Sequence, residues 1–155
     1  MITAMQEKLA STLHEIKLLL PGHYQELALN QDQVPLDPQY EVYLQREENG
    51  ELLFTVLREA GEMIGYFIGF IEPHLHYKTC LTCTMDIFYV NPDKRQQGAG
   101  ILLFEEVEKE LRRRGVQRWF MGSKLHKDTS YLFEKIGAKP VETYYSKWLG
   151  KENAQ

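Results

Sequence analysis

Cysteine and long apolar runs are scarce in this chain. Only Cys80 and Cys83 of its 155 residues are cysteines, too few and too close for a disulfide framework, which fits a reducing compartment. No apolar stretch approaches the roughly 20 residues of a membrane-spanning helix, and the N-terminus carries no export signal. The sequence therefore argues against a membrane protein, and we expect a cytoplasmic one.

Positive charge is also in short supply. Lys and Arg total 18 against 22 Asp and Glu, which gives a net charge of −4 and a sequence pI near 5.8. This balance disfavours nucleic acid as the main partner, because such a surface would repel phosphate backbones. A hydrophobic fraction of 43% is enough for a core, so we expect one globular domain over residues 1–155.

The first 50 residues are predicted to be helical. Apolar residues recur there at steps of three and four: Met5, Leu9, Leu13, Ile16 and Leu20. This spacing predicts an opening helix that Pro21 and Gly22 stop. A loop follows over 30–38, and a second short helix runs from about Tyr40 to Asn49.

The remaining chain alternates strands and helices. We predict a hairpin of strands 53–57 and 63–71, a strand at 81–90, a helix from 99 to about 114, a strand at 116–121, a helix at 128–136, a final strand at 141–148 and a frayed tail at 150–155. The strand–helix–strand unit over 81–121 implies a parallel pair with a right-handed crossover. The fold class is therefore a mixed α/β sheet.

One motif lies between the central strand and the helix that follows it. Its residues are Arg95, Gln96, Gln97, Gly98, Ala99 and Gly100. Glycines let a ligand approach the backbone, and free N–H groups at a helix start bind phosphate. The alternative is a loop whose glycines only satisfy turn geometry. The motif lacks the Gly-Lys-Ser/Thr ending of a P-loop and the third glycine of a dinucleotide fold.

This segment matches an Arg/Gln-x-x-Gly-x-Gly/Ala signature, and the chain resembles the GNAT superfamily of acyl-CoA-dependent N-acetyltransferases. The likeness covers about 52–148 and includes Asn91-Pro92-Asp93 and the stretch from Leu132 to Gly137 in the family's order. It implies an α+β GNAT fold: a twisted, mostly antiparallel mixed sheet flanked by helices, with parallel strands 81–90 and 116–121 splayed apart. The predicted opening helix departs from the strand with which the family commonly begins.

The resemblance also implies acetyl-CoA as the acetyl donor, held between the splayed strands. Backbone groups of Phe88, Tyr89 and Val90 would pair with the pantetheine arm. The pyrophosphate would lie on Arg95, Gln96, Gln97, Gly98, Ala99 and Gly100. A backbone N–H of Phe88 or Val90 would stabilise the negative charge that develops on the thioester oxygen.

The reaction requires a base and an acid for proton transfer, and the sequence offers candidates for both. An amine with a pKa near 10 must lose a proton before it attacks, and Asp86 occupies a position where some relatives carry a catalytic histidine or acid. The tyrosine that many relatives use as an acid is replaced by Phe133, and Tyr131 is rotated by about 200° from it on a helix. His126 is the next candidate acid. Structural roles for Asp86 and His126 remain the alternatives.

Four potential zinc ligands lie within ten residues: His74, His76, Cys80 and Cys83. The two cysteines fall on or beside a strand, where positions three apart face opposite sides, and the spacing differs from known zinc motifs. We therefore expect no metal. His74, His76 and Tyr77 are instead predicted to border the acceptor pocket.

The leading hypothesis is an N-acetyltransferase that moves acetyl from acetyl-CoA to a primary amine of a small molecule or a protein by direct attack. A non-catalytic GNAT-fold module that binds acyl-CoA or regulates a partner is the alternative, because Phe133 lacks the hydroxyl. The sequence leaves the acceptor open, and it leaves open whether the chain forms a homodimer.

Overall fold

A computed structural model describes residues 1–151. Along the chain lie β1 (Ile2–Gln6), α1 (Leu9–Leu27), α2 (Tyr40–Glu48), β2 (Leu52–Glu59), β3 (Glu62–Pro73), β4 (Leu81–Val90), a 3-10 helix (Pro92–Gln97), α3 (Ala99–Arg113), β5 (Arg118–Phe120) and α4 (Ser130–Lys135). Within 1–151 the strands form one sheet in the order β1-β2-β3-β4-β5. All neighbours are antiparallel except β4 and β5. The predicted mixed, mostly antiparallel sheet is confirmed.

The prediction that the chain opens with a helix is wrong. Residues 2–6 form β1, which pairs with β2 from Ile2 opposite Glu59 to Gln6 opposite Thr55. Burial alternates along β1, and Met5, which fits the helical spacing by chance, points outward. A strand forms because β2 offers a free edge at this point. The predicted departure from the GNAT order at the N-terminus therefore disappears.

The predicted helix stop at Pro21 is also wrong, since α1 continues through Pro21 to Leu27. A proline inside a helix removes one hydrogen bond and costs about 3 kcal/mol. The turns beyond it are held by tertiary contacts: His23 bonds to Tyr66, and Glu26 bonds to Arg95. These contacts offset the cost of the proline.

The predicted final strand at 141–148 is not formed in the described chain. Its side chains are exposed, with Tyr144 at 87% and Tyr145 at 92%. A strand needs a partner for its backbone groups, and the described sheet ends at β5, which has only three residues. Residues 152–155 of the tail that the sequence predicts to fray lie outside the described residues.

Two apolar layers cover the sheet. On one face α3 and α4 pack through Leu103, Phe104 and Phe133 against residues such as Phe67 and Cys83. On the other face Leu9 and Ile16 of α1 pack against Phe54, Val56 and Tyr66. Among the described residues no helix is both long and apolar enough to span a bilayer. The sheet thus separates an α3 side from an α1–α2 side.

Candidate active site

The two parallel strands separate half-way along β4. Their pairing is limited to Thr82 with Arg118, Cys83 with Trp119 and Thr84 with Phe120. From Met85 to Val90, β4 is paired only with β3 on its other side. The edge of β4 that faces β5 is therefore open over 85–90.

The hydrogen-bond pattern shows which backbone groups face this gap. The Asn91 N–H donates to the Ile64 carbonyl at 2.7 Å. Because antiparallel bonding alternates, Tyr89 and Ile87 direct their backbone groups to β3, while Phe88 and Val90 direct theirs into the gap. The backbone of Tyr89, which the sequence grouped with these two, is engaged by Tyr66 of β3.

A β-bulge interrupts β4 at Asp86. The register changes from Ile68 opposite Ile87 to Gly69 opposite Met85, so Asp86 has no residue opposite it. A Cβ at Gly69 would lie 2.7 Å from the Cys83 sulfur, so glycine is needed beside the bulge. The bulge turns the Asp86 side chain to the α1–α2 side of the sheet.

Tyr43 of α2 meets Asp86 there, and its hydroxyl donates a 2.6 Å hydrogen bond to Oδ2. Burial and the carboxylate raise the pKa of Tyr43 far above its ordinary value, so it stays the donor. Burial raises the pKa of Asp86 as well, against the effect of the Tyr43 bond. Asp86 as a whole residue is nevertheless exposed to solvent, which leaves it accessible to a ligand.

The segment after β4 turns sharply into α3. The Asn91 side chain caps the 3-10 helix by accepting from the Asp93 N–H at 2.9 Å. Gly98 has a φ of +74°, and α3 follows directly, with buried Ala99 fixing its first turn. The first bond in α3 runs from the Leu102 N–H to the Gly98 carbonyl. The backbone N–H groups that precede Leu102 in α3 therefore have no carbonyl partner within the helix. They can bind an anion at this end of α3.

Arg95 ties this turn to α1. Its guanidinium holds Glu26 with two bonds of 2.7 and 2.9 Å, and its Nε donates to the Val90 carbonyl at 2.8 Å. Lys127 lies 3.0 Å from the same carboxylate. Arg95 and Lys127 lower the pKa of Glu26 to about 2. The positive charge predicted for this loop is present, and it is paired with a residue that the sequence did not single out.

A cavity of about 280 Å³ lies on the α1–α2 side of the sheet. Its walls are α1, the connection at 35–38, α2 and the sheet face, and its lining includes Tyr43 and Ile87, the neighbours of Asp86. Asp86 is not itself part of the lining, but its bond to Tyr43 places it between the cavity and the open edge of β4. Nothing in the local sequence indicates the cavity, because its walls come from four separate segments.

Residues 21–137 match the sequence model of the Acetyltransferase (GNAT) family. The chain belongs to this family. A search of curated proteins found no match. The mixed five-stranded sheet with helices on both faces is the GNAT fold.

Solved structures share this fold. A ribosomal-protein-alanine N-acetyltransferase from Brucella melitensis biovar Abortus 2308 superposes with a TM-score of 0.75 at 19% identity, covering 97% of this chain and 99% of that one. An aminoglycoside acetyltransferase from an uncultured soil metagenomic sample gives 0.75 at 13% identity, with the same coverage. A predicted acetyltransferase from Clostridium acetobutylicum, solved with acetyl-CoA, gives 0.67 at 14% identity over 96% and 97% of the two chains.

His126 lies in this GNAT domain on the exposed loop between β5 and α4. Its Nε2 is 3.1 Å from the Leu27 carbonyl at the end of α1. A carbonyl only accepts, so Nε2 carries a proton and the neutral ring keeps a lone pair on Nδ1. Only the doubly protonated ring has a second N–H to give.

The family tyrosine position is filled by an apolar ring. Phe133 is buried, with its ring centroid 5.6 Å from that of Phe104 and 6.2 Å from that of Phe88. Tyr131, two residues earlier on α4, is 62% exposed. The Phe133 ring therefore belongs to the packing of α3 on the sheet.

The predicted acceptor-side residues form a separate cluster at the far end of β4. The ring of His74 lies 5.4 Å from that of His76 and 5.1 Å from that of Tyr77. All three belong to the β3–β4 connection, whereas the predicted pyrophosphate-binding segment, Arg95 to Gly100, follows the other end of β4. In residues 1–151 no group of three or more His, Cys, Asp or Glu is arranged to hold a metal. Burial raises the pKa of Cys83 to about 12, which keeps its thiol protonated.

Sequence reasoning missed three residues of this region: Tyr43, Glu26 and His23. His23 is 1% exposed, its Nδ1 is 3.1 Å from the Tyr66 hydroxyl, and burial lowers its pKa to about 4. His23 follows Pro21 and Gly22, where the sequence predicts that the helix ends. The sequence therefore places His23 beyond the helix, although it lies within α1. No local pattern marks any of the three, because each is defined by a partner on another element.

Proposed function

We propose that the chain transfers the acetyl group of acetyl-CoA to a primary amine by direct attack, without a covalent enzyme intermediate. One observation carries this proposal: the bulge brings the Asp86 carboxylate to the junction between the open edge of β4 and the cavity. The donor would reach this junction along β4, and the amine would reach it through the cavity.

The chain offers groups that fit acetyl-CoA. Phe88 and Val90 present backbone groups that can pair with an amide-containing arm along the open edge. The start of α3 and the turn that leads into it offer backbone N–H groups to a pyrophosphate, whereas the charge of Arg95 is paired with Glu26. A Cβ built on Gly98 meets no atom within 4 Å, so the space beside this glycine is open to a ligand.

Asp86 is assigned as the base. It takes a proton from the ammonium form of the acceptor, either directly or through one water, and its raised pKa makes it a stronger base than an ordinary aspartate. The free amine then attacks the thioester carbon: a C–N bond forms, the C–S bond breaks, and the N–H of Phe88 or Val90 stabilises the charge on the oxygen. The attacking nitrogen loses its second proton to solvent, the departing thiolate gains a proton from an acid, and one proton is released in net per turnover.

His126 is assigned as the acid that protonates the thiolate. The imidazolium ring keeps Nε2–H on the Leu27 carbonyl and offers Nδ1–H to the thiolate. Phe133 lies in the apolar cluster and has no proton to give. Its packing is the observation that favours the alternative, a GNAT-fold module that binds acyl-CoA without turnover.

The deciding experiment measures thiol release from acetyl-CoA with panels of amines and peptides, and identifies the acetylated product by mass spectrometry with labelled donor. We expect release that requires an amine and falls by about 10²- to 10⁴-fold in Asp86→Asn, the usual contribution of a general base. The same variant should still raise its melting temperature with acetyl-CoA. Binding of acetyl-CoA without release on any amine would support the non-catalytic module instead.

A further inference from the structure

The cavity beside Asp86 is poor in charge. Its walls are formed by aliphatic residues such as Leu13, Leu20 and Leu36 and by the rings of Tyr40 and Tyr43. Among the described residues that line it, Asp37 is the one acidic residue, and none is Lys, Arg or His. Such a surface favours apolar ligands, since each polar group brought into it must give up water.

The inner wall of the cavity offers no charge either. Tyr66 belongs to the lining, and its hydroxyl is engaged by the buried ring of His23 at 3.1 Å. Burial lowers the pKa of His23 to about 4, so the pair is neutral at physiological pH. A second ammonium group of a ligand would find no counter-charge at this wall.

The charged end of a ligand in the cavity would point toward Asp86. Tyr43 and Ile87 line the cavity, Tyr43 bonds to Asp86, and Ile87 is the next residue in the chain. A molecule whose apolar part fills the cavity can therefore present its amine to the Asp86 carboxylate. The walls and the carboxylate together describe an amphiphilic ligand with one cationic end.

From this arrangement we propose that the acceptor is a primary amine on a compact apolar body, such as a short alkyl chain or a single aromatic ring with a short linker. A volume of about 280 Å³ gives room for roughly ten non-hydrogen atoms. The inference rests on the proposed acetyl transfer. It separates this chain from enzymes for sugars or polyamines, whose several hydroxyl or ammonium groups would lose hydration in a cavity where Asp37 is the one counter-charge of the described lining.

The test is a homologous series of linear primary amines from ethylamine to decylamine, together with phenylethylamine, glucosamine, spermidine and a peptide with a free N-terminus. We expect kcat/KM to rise roughly fourfold for each methylene until the cavity is full and then to level off. Phenylethylamine should exceed glucosamine and spermidine by at least about 100-fold. A flat series, or a preference for glucosamine, spermidine or the peptide, would overturn the proposal.

Two leucines of the α1–α2 connection provide a matched pair of variants. Leu36 lines the cavity and is 38% exposed, whereas Leu29 is 55% exposed and lies outside the lining. Leu36→Glu should flatten the dependence on chain length, and Leu29→Glu should leave it unchanged. Both variants should keep the rise in melting temperature with acetyl-CoA, which shows that they are folded. Equal behaviour of the two variants would count against the cavity as the acceptor site.

Calorimetry separates this inference from the acetyl transfer itself. Binding of the same amine series is measured to the protein with acetyl-CoA absent and with CoA present. If no amine is acetylated but affinity still grows with chain length, the proposed reaction fails while the apolar-amine site stands. If acetylation occurs but neither affinity nor rate depends on chain length, the reaction stands and the apolar-amine site is wrong.

Discussion

The Tyr43 hydroxyl donates a 2.6 Å hydrogen bond to the Asp86 carboxylate and so joins α2 to the bulge of β4. The bond favours the ionised carboxylate, whereas burial favours the neutral acid. Since a general base must be ionised to act, Tyr43 influences the pH range in which Asp86 can accept a proton. This relationship gives the first prediction.

Tyr43→Phe removes the bond that lowers the pKa of Asp86, so that pKa rises. We expect the acidic limb of the kcat/KM profile to move to higher pH, with a smaller change in rate at alkaline pH. Tyr40→Phe is the control, because Tyr40 lines the same cavity and its ring keeps its place under Lys17. A limb that moves equally in both variants, or in neither, would argue against Asp86 as the base.

Gly98→Val should abolish the rise in melting temperature with acetyl-CoA, since the side chain occupies open space beside the start of α3 and strains a positive φ. Gly115→Val is a matched control at the other end of α3, with a φ of +82° and equally open surroundings. Both substitutions should cost about 1–3 kcal/mol through strain. Thermal unfolding with and without acetyl-CoA should show the lost response in Gly98→Val alone.

His126→Ala should lower turnover, because it removes the proposed proton donor. His126→Gln separates this role from structure, since its amide can still donate to the Leu27 carbonyl but cannot deliver a proton. We expect both variants to lose rate to a similar extent with acetyl-CoA saturating. Recovery of the wild-type rate in His126→Gln would make His126 a positioning residue that holds the β5–α4 loop to α1.

The buried His23 predicts a pH dependence of stability. Its pKa is about 4 in the folded protein against about 6.5 when unfolded, so the unfolded chain binds the proton first as pH falls. The contribution of the neutral His23 to the free energy of unfolding is fully present above pH 6.5 and is lost as the pH falls toward 4. Its slope is at most about 1.4 kcal/mol per pH unit. His23→Gln should remove this slope in urea unfolding between pH 4.5 and 7.5. An unchanged slope would mean that folding does not lower the pKa of His23.

The family and much of the fold could be predicted because their signals are local. The Arg95–Gly100 motif lies in six consecutive residues, and the helical stripe from Ala99 onward and the strand at 81–90 follow from spacing alone. The assignments of Asp86, His126 and the cofactor loop rest on that resemblance and stay predictions. The experiments above address them directly.

The errors at the ends of the chain have a different cause. Met5 matched a helical spacing, but residues 2–6 pair with the free edge of β2 and form a strand. The helix α1 continues beyond Pro21 because its later turns are held by contacts such as that of His23 with Tyr66. At 141–148 the pattern suits a strand, but within the described residues no edge pairs with it. Secondary structure at these points depends on a distant neighbour rather than on the local sequence.

The sequence by itself determined the family, the mixed sheet and the position of the turn that we propose to bind phosphate, because residues close together in the chain carry them. Only the tertiary structure decided the surroundings of Asp86, which we propose as the acceptor side. Tyr43 and Asp86 are 43 positions apart, and Glu26 and Arg95 are 69 apart. A one-residue shift in the pairing of β3 and β4 turns the Asp86 carboxyl toward α2. Such contacts depend on how elements pack and on strand register, and neither leaves a signal in the local order of residues.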